Sequence, residues 1–282
     1  MQHLFIHTYP RRPIRMEKIN RERYSGVFAK LYDGLFDNFT EDIEFYTNLA
    51  KDINTPVLDL CCGTGRLTLP LAKAGHKVVA VDSQQDMLNI IQDKMKKENQ
   101  EVRNNIQIVK KDIRKLKLSV HHEFELILLS FNSFVHLLTQ EDQLIALRNI
   151  RKYMGNKGLF VIDVNFPNVE RMLGEDGKIK FFYNVSDILK KTIIEYYSSK
   201  YNFPNQTEEV SSIIEELSPD GTVKKFLTND TLCFVFPREM KLLLELAAFD
   251  LIDVLCSYEG EKFNYKDNVE FLIYLARPKS KK

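Results

Sequence analysis

Three aspartates close or sit within short apolar runs, at Asp59, Asp82 and Asp112. The runs are Val57–Leu60, Val78–Val81 and Ile106–Val109. The first leads straight into Cys61-Cys62-Gly63-Thr64-Gly65-Arg66. At Gly63 and Gly65 the backbone can approach a ligand where a Cβ would collide. A dinucleotide fingerprint wants a further glycine at position 68, and this chain has Thr68. Asp59 would also repel a pyrophosphate. It suits a ligand that carries positive charge nearby, such as an ammonium and a sulfonium. The Asp82 carboxylate suits the hydroxyls of a ribose, a feature shared with dinucleotide enzymes. Asp112 is placed to accept from an adenine amino group.

A second candidate set follows the fourth and fifth apolar runs, Leu126–Leu129 and Leu159–Val164. It begins with Ser130-Phe131-Asn132-Ser133-Phe134-Val135-His136. A histidine changes charge near neutral pH, so His136 is a candidate base. The competing reading is a histidine packed at a helix start. Asn132 either orients a substrate or caps a turn. Phe134, Asn165 and Arg238 are candidates to face a substrate, and Arg238 also reads as a surface residue at a helix N-terminus.

The elements that must carry these residues follow from patterning. The runs show little alternation, as in strands covered on both faces. Helical stretches separate them, one opening at Ser83 with Asp86, another at Thr139 with Asp142. Such an order predicts a Rossmann-like, doubly wound α/β sheet. Upstream, Arg23 to Ala50 reads as helical, with Thr40 as a cap and Ile43, Tyr46, Leu49 and Ala50 on one face. Lys178 to Leu232 breaks the rhythm. Its runs Thr192–Tyr197, Glu209–Leu217 and Thr222–Leu227 are rich in β-branched and aromatic residues, and Ser218-Pro219-Asp220-Gly221 is a hairpin turn. Pro237 opens a helix, and Leu251–Leu255 and Val269–Ala276 read as closing strands. The expected division is a flexible tail at 1–22, with Met16 as an alternative start, and a helical cap at 23–50. A cofactor-binding α/β core at 51–177, an antiparallel insertion at 178–232 and a return to the core sheet at 233–282 follow.

Length and composition restrict the options. A chain of 282 residues with 44% hydrophobic and 28% charged residues is globular rather than disordered. A formal net charge of +1 weighs against bulk nucleic acid as the partner. The four cysteines form no CxxC pair, so we expect no metal site and reduced thiols in a cytoplasmic protein. No apolar run approaches the roughly 20 residues that span a bilayer.

Taken together, VLDLCCGTGRLTLPLA, VVAVDSQQDML, VKKDIRKL, LSFNSFVHLL and GLFVIDVNFP, in this order, resemble the class I S-adenosylmethionine-dependent methyltransferases. The resemblance runs from about Tyr24 to Pro278. Tyr24-Ser25-Gly26-Val27-Phe28-Ala29-Lys30-Leu31-Tyr32-Asp33, the insertion and Phe236-Pro237-Arg238-Glu239 resemble the small-molecule branch that includes aminosugar N,N-dimethyltransferases. The chain departs from that pattern at Ala248 before Phe249 and at Asn156-Lys157-Gly158 before the fifth strand. The resemblance implies a seven-stranded sheet with the last strand antiparallel, and S-adenosylmethionine as cofactor. It implies that Asp59 and the backbone at Cys61 and Gly63 hold the methionine part, that Gly65 is also a cofactor-binding residue, and that Arg66 pairs with the cofactor carboxylate. Asp82, with Ser83, would bind the ribose, and Met87 would pack on the adenine. Asp112 and Ile113 would touch the adenine edge and Ser130 the sulfonium region. Tyr24 and Tyr32 would close the site.

The implied activity is transfer of a methyl group to nitrogen or oxygen of a small molecule. A macromolecular acceptor, RNA or protein, would want a basic stripe. The lysine clusters at Lys94, Lys96 and Lys97 and at Lys110, Lys111, Lys115 and Lys117 read instead as a solvated face. A non-catalytic cofactor-binding module would tolerate a degraded loop, and here Asp59, Gly63, Gly65 and Asp82 are all present. The aromatic insertion reads either as a lid over the substrate or as the interface of a homodimer.

Overall fold

The structure is a computed structural model, and it describes residues 24, 26–119, 123–264 and 269–279. The tail expected at 1–22, and with it Met16, lies outside the described residues. The chain begins with α1 (Gly26–Phe36) and α2 (Glu41–Ala50). An alternating run follows: β1 (Val57–Leu60), α3 (Thr68–Lys73), β2 (Val78–Asp82), α4 (Gln85–Met95), α5 (Gln100–Asn104), β3 (Ile106–Lys110), β4 (Phe124–Leu129), α6 (Gln140–Arg151), β5 (Met154–Asn165) and α7 (Val169–Glu175). Then come β6 (Ile179–Ser186), β7 (Lys191–Asn202), β8 (Thr207–Leu217) and β9 (Val223–Cys233). The chain closes with α8 (Pro237–Leu246), β10 (Phe249–Leu255) and β11 (Phe271–Pro278).

A seven-stranded sheet is ordered β10-β11-β5-β4-β1-β2-β3. β1 pairs in parallel with β2 and β4, while β11 runs antiparallel to both β5 and β10. Every residue of β1 and β2 is buried, which explains why their sequences do not alternate. Successive residues feed two hydrophobic layers. Leu58, Leu60, Ile127 and Leu129 pack with Ala146, Leu147 and Leu244 on one face. Val57, Leu126, Leu128 and Ile273 pack with Tyr46, Ala50 and Leu71 on the other. The strand order reverses between β1 and β4, and a crevice opens at their carboxyl ends.

The insertion forms a separate sheet, ordered β6-β7-β8-β9. Its β8–β9 turn is the expected one, with Gly221 at φ +83° and its N–H donated to the Ser218 carbonyl. β6 adds a strand over Phe181, Phe182 and Tyr183, which sequence patterning treats only as an aromatic cluster. Helix α1 lies against this sheet, with Phe28, Leu31 and Leu35 packed on Ile193 and Ile214. Polar bonds tie α1 to the core side as well: Gly26 N–H donates to Asp86 Oδ2 at 2.6 Å, and Lys94 Nζ to Asp33 Oδ1 at 2.7 Å. Lys94 is therefore not part of a solvated face. The caps also differ in part. Thr139 Oγ1 accepts from Asp142 N–H at 3.2 Å. Thr40 precedes α2 without a side-chain cap bond, and α4 opens at Gln85 rather than at Ser83.

Candidate active site

The chain leaves β1 through a turn that ordinary residues resist. Cys61 has φ +54°, Gly63 φ +55° and Gly65 φ +83°, all left-handed. The two glycines serve different ends. A Cβ on Gly63 would meet nothing within 4 Å, so its face is open to a ligand. A Cβ on Gly65 would lie 2.5 Å from Ile91 Cδ1, so Gly65 lets α4 pack against the loop. Gly63 N–H donates to Asp82 Oδ2 at 2.9 Å, and Gln84 N–H to Asp82 Oδ1 at 2.7 Å. Asp82 is 8% exposed. Burial pushes its carboxyl upward, while these backbone donors pull the other way.

These groups line a cavity of about 300 Å³ at the crevice. Cys61, Gly63, Asp82, Ser83 and Met87 face it from the first two strand ends. Asp112 and Ile113 face it from beyond β3, Phe131, Ser133 and His136 from beyond β4, and Tyr24 and Tyr32 from the α1 side. Asp230, on β9, reaches it from the insertion. His136 Nε2 lies 3.1 Å from Tyr24 Oη, and the rings meet edge to face at 5.0 Å. The Asp112 carboxylate is engaged by Arg114, whose Nη2 donates to Oδ2 at 2.6 Å. That bond holds Asp112 below the usual carboxylate range. The residue is left with its backbone and edge to offer a ligand.

Other candidates lie elsewhere. Asp59 is 1% exposed and sits beneath the loop, accepting from Thr68 Oγ1 at 2.5 Å. Burial pushes its carboxyl up to about 6. Arg66 donates a hydrogen bond from each Nη to the Asp42 carboxylate, both at 2.6 Å, and its guanidinium lies 4.3 Å over the centre of the Phe131 ring. It is committed to joining α2 to the loop after β4. Ser130 is buried, its carbonyl accepting from Ser133 Oγ at 2.7 Å. Phe134 is wholly buried in the core. Arg238 is exposed in the first turn of α8.

Asn132 and Asn165 line a second cavity of about 400 Å³, between the carboxyl edge of the sheet and the insertion. Arg171 faces it from α7, and Lys180, Tyr197, Tyr201 and Glu208 from the insertion. Asn165 N–H donates to Asn132 Oδ1 at 2.9 Å. The Ser133–His136 turn stands between the cavities: Ser133 and His136 face the first, Asn132 and Val135 the second. Asp163 holds this turn in place. Its Oδ1 accepts from Asn132 N–H at 2.9 Å, and its Oδ2 accepts from Tyr46 O–H. Phe131 and Asn132 are both left-handed, at φ +55° and +59°, and Asp163 anchors that conformation. Asp163 is not among the residues that mark the site in the sequence. Its one signal is an acid inside the apolar run Leu159–Val164.

An open glycine face, an inward carboxylate and the apolar Met87 and Ile113 suit a ligand with a sugar, an aromatic base and a charged tail. Residues 57–158 match the methyltransferase domain family. The chain is an S-adenosylmethionine-dependent methyltransferase, similar to the class I members. The methyltransferase is 24% identical over 221 residues to the cypemycin N-terminal methyltransferase of a Streptomyces species, covering 78% of this chain and 82% of that one. It is 25% identical over 213 residues to the glycine/sarcosine N-methyltransferase of Aphanothece halophytica, covering 72% and 78%. Its fold is that of the CcbJ methyltransferase from Streptomyces caelestis, with a TM-score of 0.70 and 24% identity over 89% of this chain and 96% of that one. The sugar N-methyltransferase KedS8 from a Streptoalloteichus species shares the fold too, with a TM-score of 0.69 and 14% identity over 96% and 100%. Among the described residues, no helix is long and apolar enough to cross a membrane, and no group of three or more His, Cys, Asp or Glu could hold a metal.

Proposed function

We propose that the enzyme methylates a nitrogen of a small polar molecule seated in the second cavity, with the reacting nitrogen reaching past the Ser133–His136 turn to the Tyr24 side of the first. The observation that carries this reading is the shared wall: one short turn presents His136 to one cavity and Asn132 to the other. A cavity of about 400 Å³ lined by Asn165, Tyr201, Glu208 and Arg171 suits a small ligand held by a few polar groups. Relatives named for methylation at the cypemycin N-terminus and for N-methylation of glycine and sarcosine favour nitrogen over oxygen. The net charge of +1 argues against RNA.

In this reading Gly63, Asp82, Met87 and Ile113 hold the adenosyl part of the cofactor, with Cys61 and Tyr32 around its tail. Asp59 and Gly65 act from below, as supports of the loop. When bound, S-adenosylmethionine supplies an electrophilic methyl group on a sulfonium. The chain's work is to align the acceptor and exclude water, which contributes much of the rate in such displacements. Asn132 and Asn165 orient the acceptor. His136, through Tyr24, takes the proton that the acceptor gives up. Phe134 and Arg238 have no part in this reading.

The insertion serves two ends in the same proposal. Its inner face closes the acceptor cavity, and its outer face joins two copies. Ile179, Phe181, Tyr183 and Val185 are exposed along one side of β6, continuous with exposed Tyr196 and Ile213. An apolar patch of this kind supports an interface. Four free cysteines support a reducing, cytoplasmic setting. The test is a screen of amines, aminosugars and phenols for methyl transfer by the purified enzyme. Turnover of amines alone supports the reading, and turnover confined to phenols, to RNA or to protein would sink it.

A further inference from the structure

We propose that Asp230 is a positioning residue that fixes which ring nitrogen of His136 carries the proton. The inference rests on the reading of His136 as the acceptor's proton partner. Asp230 belongs to β9 of the insertion, far in sequence from the cofactor loop, yet it lines the same cavity as His136 and Tyr24. Its oxygens are not equivalent. Oδ1 accepts from Thr231 N–H at 2.9 Å. Oδ2 is turned to the histidine, 3.9 Å from Nδ1. That separation is beyond a hydrogen bond, so the carboxylate acts on the ring as a neighbouring charge. Its side chain is 17% exposed and that of His136 is 33% exposed, so the field is only partly screened.

A negative charge beside Nδ1 favours the tautomer with hydrogen on that nitrogen. Nε2 then keeps its lone pair, and Nε2 is the nitrogen 3.1 Å from Tyr24 Oη. Tyr24 therefore donates to Nε2 and leaves its oxygen lone pairs toward the cavity. The proton bookkeeping closes. The acceptor's proton passes to the Tyr24 oxygen as the tyrosine proton passes to Nε2. The charge ends as an imidazolium facing the Asp230 carboxylate. Free imidazole side chains prefer the opposite tautomer, with hydrogen on Nε2, so the preference is measurable. The insertion is thus a contributor to the proton path as well as a cover.

Asp230→Asn is the informative variant because Thr231 dictates its orientation. The Thr231 N–H needs an acceptor, so the amide oxygen occupies the Oδ1 place and the NH2 group replaces Oδ2. That group puts partial positive charge beside Nδ1 in place of the negative charge and favours hydrogen on Nε2, the wrong arrangement for a base. The experiment is nitrogen NMR of the full chain labelled in histidine, with S-adenosylhomocysteine added, at alkaline pH where the ring is neutral. His136→Gln identifies the signal. The wild type is expected to carry hydrogen on Nδ1, D230N on Nε2, and Asp230→Glu on Nδ1 again. Affinity for S-adenosylhomocysteine should stay within about twofold in D230N, since the role is not one of holding the cofactor. Hydrogen on Nε2 in the wild type, or an unchanged tautomer in a folded D230N protein, overturns the inference. If D230N does not fold, the wild-type tautomer decides. Failure of the wild type to bind S-adenosylhomocysteine is a separate outcome, which removes the methyltransferase reading itself.

Discussion

The backbone N–H of Gly63 donates to the carboxylate of Asp82 at 2.9 Å, joining the ends of β1 and β2 across the floor of the cavity. One residue gives the open face and the other gives the charge, and each fixes the other. Asp82→Ala removes the anchor of Gly63 and, in the proposed reading, a ligand contact. Affinity for S-adenosylhomocysteine should fall by about tenfold to a hundredfold, or ~1.5–3 kcal/mol for a hydrogen bond to a charged group. Calorimetry on the folded variant checks this. Unchanged affinity removes Asp82 from the cofactor site.

The neighbouring glycines should part company on mutation. Gly63→Ala strains a left-handed residue by roughly 1–2 kcal/mol and puts a methyl group on the ligand face, so cofactor binding is lost with modest unfolding. Gly65→Ala drives a methyl group into Ile91, so melting temperature falls first, by an overpacking cost of about 1–3 kcal/mol. Paired measurements of affinity and melting temperature separate the two. Equal effects on both properties in both variants contradict the division of labour.

Asp59 makes stability depend on pH. Burial raises its folded pKa to about 6, above its ordinary value. A carboxyl so raised binds its proton more tightly when folded. Its contribution is therefore fully present below the ordinary carboxylate pKa and is lost as pH climbs through about 6. Asp59→Asn keeps an acceptor for Thr68 Oγ1 and has no charge to bury. Relative to wild type, it should gain stability as pH rises from ~4 to ~7, by an order of about 3 kcal/mol. Denaturant titrations at several pH values test the sign. A difference that does not grow with pH contradicts the burial argument.

The outer face of the insertion carries the assembly prediction. Phe181 is exposed in the middle of β6, and Phe181→Glu adds a charge without touching the core. Sedimentation should find a dimer for wild type and a monomer for the variant. A monomeric wild type removes the interface.

The α/β core is legible in the chain because strands buried on both faces leave unbroken apolar runs, as at Val78–Val81 and Leu126–Leu129. The lining of the first cavity is legible for a related reason: a sheet delivers its strand ends to one crevice, so Asp82, Gly63 and Asp112 reach it by topology. What local patterning does not carry is partnership across the fold. Arg66 is a loop cation in sequence, and only the packing of α2 gives it Asp42. Asp59 and Gly65 share the loop motif but face inward, which depends on Thr68 and on Ile91 of α4. Asp163 and Asp230 reach the site from strands more than 60 residues apart, so no spacing rule joins them. The edge strand β6 was obscured because its outward side is apolar, the reverse of the usual alternation.

The most direct test of the account is calorimetric titration of the wild-type chain with S-adenosylhomocysteine, repeated with Gly63→Ala. Saturable binding at one site per chain in the wild type, lost in a variant that remains folded, is the predicted result. A folded wild type that binds neither S-adenosylhomocysteine nor S-adenosylmethionine contradicts it.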